Sequence, residues 1–272
     1  MRRPSISAQQ ATLARAHLTQ RGCLDDPWAE AMLRSPWREI AAVSRWPLVA
    51  RRVSSRVLSY FAARTNFYDE AVRHAVDGGA TQVVILGAGY DSRAWRLARP
   101  GVRFFEVDHP ATQSDKRYRA PVGGPAYIPV DLEIDNLTAT LKESGFSNSE
   151  TTVYVAEGLL MYLSEFRVRC LFQALSQSSI TQSWLLTNFA DQRSRVRASL
   201  RRGLLALQGE SLKFWLPPES VVGFLAETGW TVISTMTGPE VMQQYNRCNH
   251  LSSDSLNRDR VVFVIAASGQ PD

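Results

Sequence analysis

The sequence predicts a doubly wound, mostly parallel α/β sheet preceded by a helical segment. Three observations carry this expectation. From Thr81 onward, seven short apolar, β-branched runs alternate with amphipathic stretches. The first of these runs ends in a Gly-x-Gly turn. Before about residue 77, apolar residues recur at helical spacing and no strand pattern appears. The chain has 272 residues, enough for one large α/β domain with an appendage and too few for three domains. With 44% hydrophobic and 21% charged residues it lies near the globular average, which excludes disorder over most of its length.

Residues 1–77 are expected to form a helical cap, interrupted at Asp26-Pro27, Ser35-Pro36 and Trp46-Pro47, because the residue before proline is pushed out of the helical basin. Residues 78–272 then form the sheet domain. Its strands are TQVVILG, VRFFEVD, AYIPVD, TTVYVAEG, SWLLTNF, WTVISTM and VVFVIAA. Residues 190–215 exceed a normal connection and predict an inserted helix with a loop, serving as a lid. The last two strands are far apart in sequence, so the final one is expected as an antiparallel addition at the sheet edge. Internal repeats and low-complexity segments are absent from the sequence.

Composition narrows the partners. The net charge is +5, but only three of the 31 basic residues are lysines and the arginines are scattered, with modest bunching at 51–56 and 193–202. A nucleic-acid binder concentrates such residues on one face with aromatic platforms, so no nucleic-acid partner is expected. The longest apolar runs are strand-sized, far short of the roughly 20 residues of a membrane span. The start carries no apolar signal region, and a cytoplasmic location is expected. Cys23, Cys170 and Cys248 are widely separated and odd in number, which predicts neither a disulfide framework nor a metal cluster.

The strongest local signal is Val83-Val84-Ile85-Leu86-Gly87-Ala88-Gly89-Tyr90-Asp91-Ser92-Arg93, an apolar strand entering a helix with Asp91 or Ser92 as its N-cap. Gly87 and Gly89 allow a tight turn and a close approach to a ligand. Ser92 stands where a dinucleotide fingerprint has its third glycine, Asp91 opposes a pyrophosphate at the helix start, and a P-loop pattern is missing. A nucleoside without phosphates and with positive charge suits the turn better, and S-adenosylmethionine has that chemistry. The following strands also end in acids. Asp108 lies 21 residues after Gly87, about where an acid reaches ribose hydroxyls, although Glu106 shares its strand face and spacing alone leaves the two open. Asp131-Leu132 suits an adenine amine and ring, and Glu157 closes the fourth strand. Each acid singly also reads as a cap or loop residue; their recurrence beside the glycine turn favours a site.

LGAGYDSRAWRL, FFEVDHP followed by Lys116-Arg117, and AEGLLMYLSE resemble the three central motifs of the leucine carboxyl methyltransferase-like family of S-adenosylmethionine-dependent enzymes. Ala63-Arg64-Thr65, DDPWAE and the passage Phe214–Trp230 resemble further family features. The resemblance implies a class I methyltransferase, Rossmann-like fold with seven strands and a helical cap. It also implies roles. Arg64 corresponds to the arginine on the cofactor's methionine carboxylate, Gly87 to the glycine-loop contact, and Asp108 to the ribose acid. Asp131 and Leu132 correspond to the adenine pair, and Glu157 to the acid after the fourth strand.

The activity so implied is O-methylation, with a small carboxylic acid as the favoured acceptor. A carboxylate is ionised at neutral pH and needs no general base, in keeping with a sequence that offers no catalytic dyad; no catalytic residue is assigned. Tyr60, Tyr162, Asn188, Arg193 and His250 are candidates for the acceptor pocket. Competing readings are a phenol or alcohol methyltransferase, a nicotinamide-dependent oxidoreductase, disfavoured by Asp91 and Ser92, and a non-catalytic binder, which the retained acids disfavour.

Overall fold

A computed structural model describes residues 4–46, 55–178, 181–191, 211–248, 251 and 261–268. Arg193, His250 and most of the predicted insertion lie outside the described residues.

Among the described residues, three helices precede the sheet: α1 (Ile6–Gln20), α2 (Trp37–Val43) and α3 (Ser55–Asp77). The Ser5 hydroxyl accepts from Ala8 N at 3.1 Å and starts α1. Residues 21–34 run through turns, so this segment is less helical than its composition predicts; Pro27 denies Asp26 the helical basin. In α3 the buried side chains Tyr60, Phe67, Tyr68 and Val72 form one core with Val83, Ile85, Val153, Val155 and Phe263 of the sheet. The last helix of the predicted cap therefore lies directly on a sheet face.

The strands are β1 (Gln82–Leu86), β2 (Arg103–Asp108), β3 (Ala126–Pro129), β4 (Thr152–Ala156), β5 (Ser183–Ala190), β6 (Thr231–Thr237) and β7 (Val261–Ser268). They form one seven-stranded sheet in the order β3-β2-β1-β4-β5-β7-β6. The first five pair in parallel, and β7 is antiparallel to both neighbours. Between them run α4 (Arg93–Arg96), α5 (Pro110–Arg119), α6 (Leu137–Glu143), α7 (Glu165–Ser176), α8 (Val221–Glu227) and α9 (Gly238–Tyr245). On the face opposite α3, Phe105, Tyr154, Phe172, Phe189, Phe224 and Trp230 build the larger core. Every residue of β1 and β4 is buried, as expected of central parallel strands covered on both faces.

Two sequence expectations need correction. The final strand is antiparallel as predicted, but it lies between β5 and β6 rather than at the edge. The reason is side-chain polarity. β7 is apolar on both faces, whereas β6 carries Thr and Ser, exposes 54% of Ile233 and has an irregular register between Val232 and Ser234, features that suit an edge. Second, Cys23 and Cys248 form a disulfide, joining the turn after α1 to the segment after α9 beside Leu18, Leu58 and Ala62. Their separation of 225 residues hid the pair, because only folding brings them together. Cys170 is free. Among the described residues, none of the helices is long and apolar enough to cross a membrane.

Candidate functional site

The strand order reverses between β1 and β4, which opens a crevice at their carboxyl ends. Gly87 and Gly89 lie there with φ of +61° and +52°, a region that costs a residue with a Cβ. The space is also taken. A Cβ on Gly87 would meet Leu159 Cδ1 at 2.6 Å, and one on Gly89 would meet the Ala8 Cβ of α1 at 2.8 Å. The glycines thus let the turn after β4 and the first helix close over the loop, in addition to any ligand. Gly89→Ala is expected to destabilise the fold by about 1–3 kcal/mol through its backbone conformation, more if α1 is displaced. Chemical denaturation would measure this, and an unchanged midpoint would refute the packing account.

Beyond the turn, Asp91 Oδ1 accepts from Arg93 N at 2.6 Å, while Ser92, at the N-cap position, makes no side-chain capping bond. Asp91 is turned inward, so its bearing on a pyrophosphate is not the direct repulsion inferred from sequence. It belongs to a buried ion cluster centred on Arg93, whose side chain is 2% exposed. Arg93 pairs with Asp91, with Asp69 of α3 at 2.7 Å and with Glu157 at 2.8 Å. Arg96 also pairs with Asp69, and Asp26 lies 2.9 Å from Arg15, which donates to Tyr90 O. Burial alone would raise the Asp69 and Asp91 carboxyls; the surrounding guanidinium groups hold both below the usual carboxylate range. The cluster ties α1, α3 and the glycine turn together. The pairing of Arg93 and Arg96 with Asp69 and Asp26 was not legible in sequence, because ion pairs across elements leave no spacing pattern.

The structure separates the two acids of β2. Glu106 is fully buried against Lys116, whose ammonium also donates to Asp91 O at 2.6 Å. Burial pushes Glu106 up to about 7 against the pull of Lys116. Asp108 stands at the strand end, partly exposed, accepting from Gly89 N at 2.5 Å and His109 N at 2.6 Å. Burial raises its carboxyl while those two amides lower it. Of the pair, only Asp108 reaches the open edge. After β3, Asp131 Oδ1 accepts from Glu133 N at 3.1 Å, and Leu132 joins the larger core.

Glu157, after β4, receives Arg64 from α3: Nε lies 2.6 Å from Oε1, and both side chains are partly buried. The Arg64 guanidinium stacks 4.7 Å from the Phe61 ring centroid. Arg64, Gly87, Gly89, Asp108 and Glu157 thus converge on one crevice edge. The acceptor candidates divide. Tyr60 is 4% exposed and packs on Phe61 and Phe263, a core position. Tyr162 lies in a short turn after β4 and is partly exposed. Asn188 of β5 is 4% exposed, and its Oδ1 accepts from both Gly158 N and Tyr68 Oη at 2.9 Å. No cluster of potential metal ligands occurs among the described residues.

A model of the leucine carboxyl methyltransferase family matches residues 7–176, from α1 to the end of α7. The chain belongs to the leucine carboxyl methyltransferase family. Two relatives agree with this placement. A protein of Mycobacterium marinum, assigned by name to the S-adenosyl-L-methionine-dependent methyltransferases, is 33% identical over 258 residues, covering 82% of this chain and 81% of its own length. A Mycobacterium tuberculosis protein of the same description is 34% identical over 225 residues, covering 74% and 71%. Solved structures share the fold. A protein of Thermobifida fusca described as a methyltransferase superposes with a TM-score of 0.60 at 16% identity, covering 98% of this chain and 96% of its own. A DUF574 family protein of Streptomyces avermitilis gives 0.60 at 15%, covering 94% and 97%. In this leucine carboxyl methyltransferase family member, the matched span carries the cap helices, the glycine turn and the acids after β2, β3 and β4.

Proposed function

We propose that the chain is an S-adenosylmethionine-dependent O-methyltransferase that converts the carboxylate of a small acid into its methyl ester. The observation that carries the cofactor assignment is the Arg64–Glu157 pair beside the glycine turn. A cation and an anion side by side complement the carboxylate and ammonium of an amino-acid tail. Asp108, held by two backbone amides at the open edge of β2, suits a ribose diol. Asp131, partly exposed after β3, suits the adenine amine as an acceptor, while Leu132 is packed into the core beside it. When bound, S-adenosylmethionine supplies a methyl group on a positively charged sulfur. The protein's part is to orient the acceptor against that methyl group and exclude water.

The carboxylate acceptor is supported by what the described residues place at the crevice. Of their histidines, His17 is buried in α1, His74 lies in the last turn of α3, and His109 caps α5 through Nδ1. None of these lies in the turn after β4, and residues 192–210 after β5, like His250, lie outside the described residues. An ionised acid requires no base. With a carboxylate acceptor, single-turnover rates should show no basic limb between about pH 6 and 9, and the product should be hydrolysed by mild alkali. Because Glu106 titrates near neutrality behind the glycine turn, a limb alone does not decide. A steep rise of rate with pH together with an alkali-stable product rejects carboxyl methylation.

A further inference from the structure

We infer that Asn188 and Tyr68 are positioning residues that set the distance between Arg64 and Glu157, and so hold the site open to the amino-acid end of the methyl donor; the inference rests on the donor assignment above. Asn188 Oδ1 accepts two hydrogen bonds at 2.9 Å, one from Gly158 N and one from the Tyr68 hydroxyl. Each donor adjoins one member of the charged pair. Gly158 directly follows Glu157, in a turn with φ of +63°. Tyr68 follows Arg64 by one helical turn on α3 and so shares its face. A single buried oxygen on β5 therefore links the helix that carries the cation to the turn that carries the anion. A link through a third element, β5, is needed because α3 and the turn after β4 belong to different parts of the chain.

The surroundings make this oxygen hard to replace. Tyr68 is fully buried, and the Arg93 guanidinium lies 5.7 Å from its ring centroid. The Gly158 turn also adjoins the cation directly, since a Cβ there would lie in ordinary contact with Arg64 Nη1 at 3.5 Å. With the link cut, the Gly158 amide loses its acceptor, and the turn has freedom to move relative to Arg64. Asn188 is thus withdrawn from the acceptor pocket and placed behind the donor's amino-acid end.

The test compares two ligands that differ in that end. S-adenosylhomocysteine carries the amino-acid tail; 5′-methylthioadenosine keeps the nucleoside and thioether without it. Calorimetric titrations of Tyr68→Phe and Asn188→Ala should show about five- to tenfold weaker binding of S-adenosylhomocysteine, with methylthioadenosine held within about twofold of wild type. Tyr154→Phe serves as the control, since it removes a buried hydroxyl that contacts Ser178 Oγ at 2.7 Å away from the crevice. It should leave both affinities unchanged even where it lowers the melting temperature. A purely structural role for Asn188 and Tyr68 predicts equal losses for both ligands, and that result, or no loss at all in the conservative Tyr68→Phe protein, overturns the inference. Wild-type protein that binds neither ligand overturns the donor assignment itself, and the inference with it.

Discussion

Replacing Arg93 with methionine is expected to destabilise the protein by about 3–5 kcal/mol at neutral pH, the range for removing one partner of a buried ion pair. Methionine keeps much of the aliphatic volume, so the loss reports charge rather than a cavity. Three carboxylates face the guanidinium: Asp69, Asp91 and Glu157. Without it they are left buried beside one another. The pH dependence has a definite sign. In the wild type the Asp69 and Asp91 carboxyls are depressed, so the stability they contribute is present above the ordinary carboxylate range, near pH 4, and is lost as pH falls below it. The gap between wild type and Arg93→Met should therefore be widest near neutrality and narrow below about pH 4. Urea denaturation at a series of pH values measures it. A gap that stays constant with pH would assign the loss to packing instead.

Asp108→Ala is expected to weaken S-adenosylhomocysteine binding by about 1.5–3 kcal/mol, the range for hydrogen bonds to a charged group. The structure sharpens this prediction by removing the competitor. Glu106 shares the strand face, yet it is sealed against Lys116 and offers nothing to the crevice. Alanine also strands the amides of Gly89 and His109, which Asp108 holds at 2.5 and 2.6 Å. Asp108→Asn keeps an oxygen for one of them and serves as the milder comparison. Calorimetric titration of both variants reads the effect. An affinity unchanged in Asp108→Ala sinks the ribose assignment, because no other acid of β2 reaches the open edge.

Much of the architecture was legible in the sequence, for reasons of chain geometry. All seven strands were visible because β-branched runs bounded by turn residues are local patterns, and the glycine turn was visible because positive φ admits few other residues. The motifs were equally local: the acids after β2, β3 and β4 stand where strand ends must place them. The order of β6 and β7 was not legible, since it depends on which strand can be buried on both faces. Nor was the turn-rich segment 21–34, where helical composition yields to proline and to packing.

What the sequence by itself determined is the set of strands, the switch-point turn and the family motifs, all encoded within windows of some ten residues. What only the tertiary structure decided is how distant side chains divide the work. It sealed Glu106 against Lys116 and left Asp108 partly exposed at the strand end. It drew Arg93, Asp69 and Asp26 into one cluster through Arg96, joined Cys23 to Cys248, and set Asn188 Oδ1 between the Gly158 amide and the Tyr68 hydroxyl. Each of these outcomes rests on burial and on contacts between residues far apart in the chain. A side chain's charge and hydrogen-bonding capacity are written in the sequence, but the partner that uses them is selected only when the elements pack.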